Sequence, residues 1–219
     1  MLVKTCAALV RCFVCIEVDG VENLPARGPA IVAGNHVSLF DFAILGSVLG
    51  NLGQRVRVTP TFLIADKWRW LAQPFASQVG HTIYIRRGQG DIEALEAARD
   101  VLAGNGALAI TPEGRPTRGP LARAKPGVAY LARETGVPVW PLAIYGHDRI
   151  FDFWKRLRRV PVRVRLGKSL ILDRGDRPPD DLQHHADSIM KAIAELMPPE
   201  YHGVYSGHMP VSFVNRRTY

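Results

Sequence analysis

A histidine and an aspartate stand five residues apart in Asn35-His36-Val37-Ser38-Leu39-Phe40-Asp41. The segment lies between an apolar strand expected over 29–33 and an apolar helical run expected over 40–49. An imidazole at a strand end, with a carboxylate to orient it, is the minimal apparatus for deprotonating a hydroxyl. Asp41 would bond one ring nitrogen, fix the tautomer and leave the other nitrogen as a base near neutral pH. Ser38-x-x-Asp41 also fits a capping box, in which both residues only close a helix N-terminus. On this segment alone the two readings stay open. Ser38 reads as a cap rather than a nucleophile, and direct attack by an acceptor hydroxyl requires no protein nucleophile.

Three further segments follow in order. Gly80-His81-Thr82-Ile83-Tyr84-Ile85-Arg86 is an alternating strand ending on arginine. Thr111-Pro112-Glu113-Gly114-Arg115 lies immediately after an apolar strand at 107–110. Val137-Pro138-Val139-Trp140-Pro141 opens another apolar strand. Together with the first segment they resemble the four ordered blocks of the glycerolipid acyltransferase family, the 1-acylglycerol-3-phosphate O-acyltransferases of the PlsC-like type. Those blocks read NH-x4-D, G-x-x-x-I-x-R, F-P-E-G-T-R and V-P-[IV]-x-P. The similarity spans about residues 18–170.

The resemblance implies transfer of a fatty acyl group from acyl-CoA or acyl-carrier protein to a lysophospholipid, 1-acylglycerol 3-phosphate first, in phospholipid biosynthesis. It makes His36 and Asp41 the catalytic pair. It assigns Gly80, Arg86, Glu113, Gly114 and Arg115 to the acceptor phosphate, with Asn35, Arg118 and Lys125 as secondary candidates. Arginine suits that task because its planar fork matches phosphate bidentately. One departure counts: after Glu113-Gly114 the chain has Arg115-Pro116 and then Thr117-Arg118, so which arginine replaces the family's usual one is open. Lys125-Pro126-Gly127 resembles the family's lysine-x-glycine. No metal and no bound cofactor are expected, the thioester being a co-substrate. The alternatives are the same chemistry on another lyso-lipid or on glycerol 3-phosphate, and a catalytically silent lipid-binding protein at a membrane surface.

Composition agrees with a globular chain: 219 residues, 47% hydrophobic and 22% charged, with a net charge of +8. A length of this order fits one domain with a substantial core. The basic balance suits anionic lipid headgroups, nucleic acid or acidic small molecules, and no nucleic-acid motif supports the second. Cys6, Cys12 and Cys15 lack the second pair that a zinc site needs, so free thiols in a reducing compartment are expected. Leu2, Cys6, Leu9 and Phe13 would form one apolar stripe on a helix too short to cross a bilayer. Lys67-Trp68-Arg69-Trp70 and the segment 151–159, with Phe153, Trp154, Lys155, Arg156, Arg158 and Arg159, mix aromatic and cationic side chains as at headgroup depth. The expected location is the cytoplasmic face of the cell membrane, peripheral or monotopic.

Strands are expected near 13–18, 29–33, 62–65, 82–86, 107–110, 139–144 and 162–166. Helices are expected at 40–49, 68–78, 125–133, after a cap at Asp91 (Ile92, Leu95, Ala98 and Leu102 on one face), and around Leu182, Ala186, Ile189, Ile193 and Leu196. Alternation of this kind predicts an α/β fold: a single domain with a largely parallel, mixed sheet flanked by helices. The expected division is a membrane-facing segment 1–17, an acyltransferase domain 18–197 and an extended tail 198–219. His202 and His208 in that tail are expected to be exposed.

Overall fold

The computed structural model describes residues 13–25, 27–38, 40–52, 59–70, 73, 80–86, 91–149, 158–173 and 182–207. The N-terminal stripe (bar Phe13), most of the helix expected over 68–78, the aromatic-basic cluster 153–156 and His208 lie outside them.

Seven strands form one sheet among the described residues: β1 (Val14–Asp19), β2 (Ala30–Gly34), β3 (Pro60–Ala65), β4 (His81–Ile85), β5 (Ala107–Ile110), β6 (Val139–Tyr145) and β7 (Val160–Leu166). Their spatial order is β1-β7-β6-β2-β5-β3-β4. Every neighbouring pair is parallel except β6 with β7, which is antiparallel. The helices are α1 (Phe40–Leu52), α2 (Ile92–Ala103), α3 (Gly127–Thr135) and α4 (Leu182–Ala194). The fold is thus the single α/β domain with a mostly parallel sheet that the alternating pattern predicts.

Period-two alternation sends side chains of each central strand to opposite faces, and both faces are covered. Ile31, Ala33, Leu108, Val139 and Ala143 pack against Ala98 and Leu102 of α2, Leu131 and Ala132 of α3, and Ile189, Met190 and Ile193 of α4. On the other face Ile44 and Val48 of α1 pack against Val14, Ile144, Val160, Val162 and Val164. Asp91 caps α2 by accepting the Ala94 N–H, and Gly136 ends α3 in the left-handed conformation with φ 68°. Of the face expected on α2, Ile92 is instead 69% exposed. It sits in the first turn, where the helix enters from the sheet edge, and Ala94 takes the buried place.

The chain beyond Pro198 does not run loose up to its last described residue. Two short 3-10 turns, Pro199–Tyr201 and Gly203–Tyr205, bury Tyr201 and Tyr205. His202 is buried rather than exposed, its Nε2 bonded to the Met197 carbonyl at 3.0 Å. The segment clips onto the loop before α3: the Leu121 N–H donates to the Tyr201 carbonyl and the Val204 N–H to the Leu121 carbonyl. Gly203 (φ +53°) allows this approach, since a Cβ there would stand 2.1 Å from the Leu121 oxygen.

Candidate active site

β2 and β5 are neighbours, yet the chain leaves them towards opposite faces, to α1 and to α3. Such a divergence at the C-terminal ends of parallel strands opens a crevice, the usual ligand position in open α/β sheets. His36 follows β2 and Glu113 follows β5, so both sequence blocks meet there.

Asp41 is the hub. Its Oδ2 lies 2.6 Å from His36 Nδ1 and accepts the Val37 N–H at 3.0 Å. Its Oδ1 lies 2.6 Å from Nε2 of His147, a residue 106 positions away. Burial by itself would raise the Asp41 pKa. The hydrogen bonds from His147 and then His36 outweigh it and hold the carboxyl below the usual range. The capping reading also holds, because Asp41 receives the Ser38 N–H weakly at 3.3–3.4 Å and Ser38 Oγ accepts the Phe40 N–H. Helix entry and ring orientation are tasks of one carboxylate.

Asn35 closes the end of β2 onto β6 through a reciprocal pair: its Nδ2 donates to the Ile144 carbonyl and its Oδ1 accepts the Ile144 N–H, both at 2.8 Å. Glu113 is buried. Its Oε2 accepts the His36 N–H at 2.7 Å and its Oε1 the Ala122 N–H at 2.8 Å. Burial pushes its pKa up to about 7 against the pull of those two donors. The Thr117 and Arg118 N–H groups donate to the His36 and Val37 carbonyls, zipping the block-three loop along the histidine loop. Gly114 and Arg118, both at φ 66°, make the turns this requires.

A cavity of about 670 Å³ opens beside His36. Its floor is the sheet itself: Phe62, Ala109 and Val32 are register partners across β3, β5 and β2. The small side chains of Ala109 and Val32 leave space that α1 does not fill. Phe40, Ile64, Trp68 and Leu95 add apolar walls, and Arg86, Gly114 and Lys125 also line it. An apolar trough with a base and a few cations is suited to a long-chain ligand with an anionic head.

Not every residue assigned to the phosphate reaches this space. Arg86 does, though its guanidinium is paired with Glu93 at 2.7 Å on an exposed surface. Gly80 precedes β4 at the opposite end of the strand, roughly 20 Å along the chain from Arg86 at about 3.3 Å per residue. There it admits the Pro60 carbonyl, which a Cβ would meet at 2.0 Å. Glu113 spends both oxygens on backbone donors and, as a carboxylate, would repel a phosphate. Arg115 and Arg118 are exposed and do not line the cavity, whereas Lys125 does, its stem against Gly114. The sequence reading missed His147. Its only local signal is a Gly-His pair at the end of an apolar strand.

Among the described residues no helix is long and apolar enough to cross a membrane, and no group of three or more His, Cys, Asp or Glu is placed to hold a metal ion. Comparison with known proteins places the chain further. It is 24% identical over 184 residues to a chloroplastic 1-acyl-sn-glycerol-3-phosphate acyltransferase of Brassica napus, covering 81% of this chain and 52% of that protein. It is 29% identical over 142 residues to the 1-acyl-sn-glycerol-3-phosphate acyltransferase of Borreliella burgdorferi, covering 62% and 53%. The chain thus spans about half the length of these curated relatives. The crystal structure of the 1-acyl-sn-glycerophosphate acyltransferase PlsC from Thermotoga maritima superposes with a TM-score of 0.61 at 21% identity, over 89% of this chain and 80% of that one, a likeness of fold. The acyltransferase family model matches residues 15–145, more than half of the chain, and the chain belongs to that family.

Proposed function

We propose that this protein moves a fatty acyl group from a thioester, acyl-CoA or acyl-carrier protein, to the free hydroxyl of 1-acylglycerol 3-phosphate, giving phosphatidate. The observation that carries the reading is the His36–Asp41 pair at 2.6 Å, with His36 lining an apolar cavity that also holds Arg86 and Lys125. The curated relatives named for this reaction support the choice of acceptor.

In this mechanism Nε2 of His36 takes the proton as the acceptor oxygen attacks the thioester carbonyl. Asp41 stabilises the imidazolium that forms. The tetrahedral intermediate collapses, the C–S bond breaks, and the thiolate leaves with the proton from His36. Apolar walls hold the chains, and Lys125 and Arg86 face the phosphate. Trp70, exposed, adjoins Arg69 in sequence, and Lys67 lies over the Trp68 ring, a mix of aromatic and cationic side chains that supports peripheral or monotopic work at a membrane surface.

The test is product formation from acyl-CoA or acyl-carrier protein and a panel of lyso-lipids with purified protein, beside His36→Ala. Acylation of lysophosphatidate by the wild type and none by the variant, at matched stability, is the expected result. Near-normal turnover by the variant overturns the mechanism, and transfer only to acceptors without phosphate overturns the acceptor.

A further inference from the structure

We propose that His147 is a positioning residue of the active site: it holds the Asp41 carboxylate in the one orientation that aims Oδ2 at His36. The inference adds to the function proposed above and, for its kinetic arm, rests on it.

Gly146 ends β6 at φ +98°, close against the Pro161 carbonyl that a Cβ would meet at 2.3 Å. This turn starts the 3-10 turn His147–Arg149 and drives the His147 ring inward until its side chain is fully buried. Asp41 is held as a carboxylate and only accepts, so His147 donates from Nε2 at 2.6 Å. His147 Nδ1 is buried and has no hydrogen-bond partner among the described residues.

Without His147, Oδ1 keeps only the Ser38 N–H at 3.4 Å, beyond a good hydrogen bond. A carboxylate bonded on one oxygen and bare on the other, in a buried site, turns about its terminal torsion or takes up a proton. Either change removes the acceptor that keeps the proton on His36 Nδ1. His147 does not line the cavity, so it acts through Asp41 and not on substrate. Among the described residues, Glu113 holds the His36 backbone, and Asp148, next to His147 in sequence, receives the Tyr201 hydroxyl at 2.9 Å.

The experiment compares His147→Gln, His147→Asn and His147→Leu. A glutamine amide nitrogen reaches about as far as Nε2, an asparagine only as far as Nδ1, which does not contact Asp41. In the substrate-free protein, 15N shifts of the His36 ring should report the Nδ1–H tautomer in wild type and His147→Gln, and mixed tautomers in His147→Asn and His147→Leu. With acyl-CoA and lysophosphatidate, His147→Gln should stay within several-fold of wild-type kcat. The other two should lose roughly 10- to 100-fold in kcat at unchanged KM. In an Asp41→Asn background, His147→Leu should add almost nothing, because the coupling runs through the missing carboxylate. Equal behaviour of the Gln and Asn variants, or losses that multiply in the double variant, overturns the proposal. If His147→Leu does not fold, the Gln–Asn contrast decides. If the wild type acylates no lyso-lipid, the proposed function fails while the ring shifts still judge this inference.

Discussion

The loop after β2 and Arg86 at the end of β4 both reach the cavity, and their side chains are held in opposite ways. After β2, His36 is 9% exposed, its ring is held by Asp41, its N–H by Glu113 and its carbonyl by Thr117. After β4, Arg86 stands in solvent with its guanidinium on an equally exposed Glu93. The first loop is set before any ligand arrives, which is what a base in a transition state requires. The second offers a cation that can exchange one carboxylate for another anion at little cost, because exposed ion pairs contribute little. Under the proposed mechanism, preorganisation is concentrated where the proton would move, and adaptability where a headgroup would be gripped.

Asp41→Asn probes the rigid side most severely. It should lower kcat by about 10³- to 10⁴-fold with little change in KM, since the amide presents the wrong partner to the ring. Steady-state kinetics with matched thermal stability checks this, and a loss under tenfold would dissolve the contrast between the loops.

Glu113→Gln tests the same loop through its backbone support. The folded protein holds the Glu113 proton up to about pH 7, above the ordinary 4.5. Its contribution to stability is therefore complete below pH 4.5 and is lost as pH rises through 7. Relative to Glu113→Gln, which cannot titrate, the wild type should lose on the order of 3 kcal/mol over that window. Urea unfolding at pH 4.5, 6 and 8 measures it, and a difference independent of pH would mean the carboxyl is not burdened by burial.

On the adaptable side, Lys125→Ala should raise the acceptor KM by roughly 10- to 100-fold, as for a lost charge-assisted contact. The thioester KM should barely move. Arg86→Ala should do the same by only several-fold, since its guanidinium is exposed and water screens any contact it makes. Arg115→Ala and Arg118→Ala should have the smallest effects, both side chains lying off the cavity. A reversal of this order would put the headgroup over the 115–118 loop.

Much of the architecture is legible in the residues because strand and helix periods are local properties. Apolar runs ended by Gly34, Gly104 and Gly136 mark elements whose placement then follows from burying both faces of a parallel sheet. The His36–Asp41 pair is legible for the same reason, its partners being five residues apart. His147 is not, because nothing near Gly146 says that the neighbouring ring will meet a carboxylate from the first turn of α1. That meeting depends on β6 lying beside β2, a pairing set by the whole sheet. Two residues assigned to the phosphate make other contacts in the structure. Gly80 and Glu113 belong to recognisable blocks, yet one is there for a close backbone approach and the other for two backbone donors. Tyr201 and Tyr205, four residues apart after two prolines, carry no period of a regular element. Their burial comes from hydroxyls that find Asp148 in one case, and Asp187 and the Ala124 N–H in the other.

Those two tyrosines also impose an order on the making of the protein. Tyr201 receives Leu121, the neighbouring Ala122 holds Glu113, and Glu113 holds the amide of His36. On a ribosome, β2 and its histidine emerge early, while the last support of that loop is about 165 residues behind them. The nascent chain can pair its central strands and bury most of its core before then, but its histidine loop stays incompletely braced. Full bracing of the histidine loop therefore waits for the segment around 199–205 to clip onto Leu121.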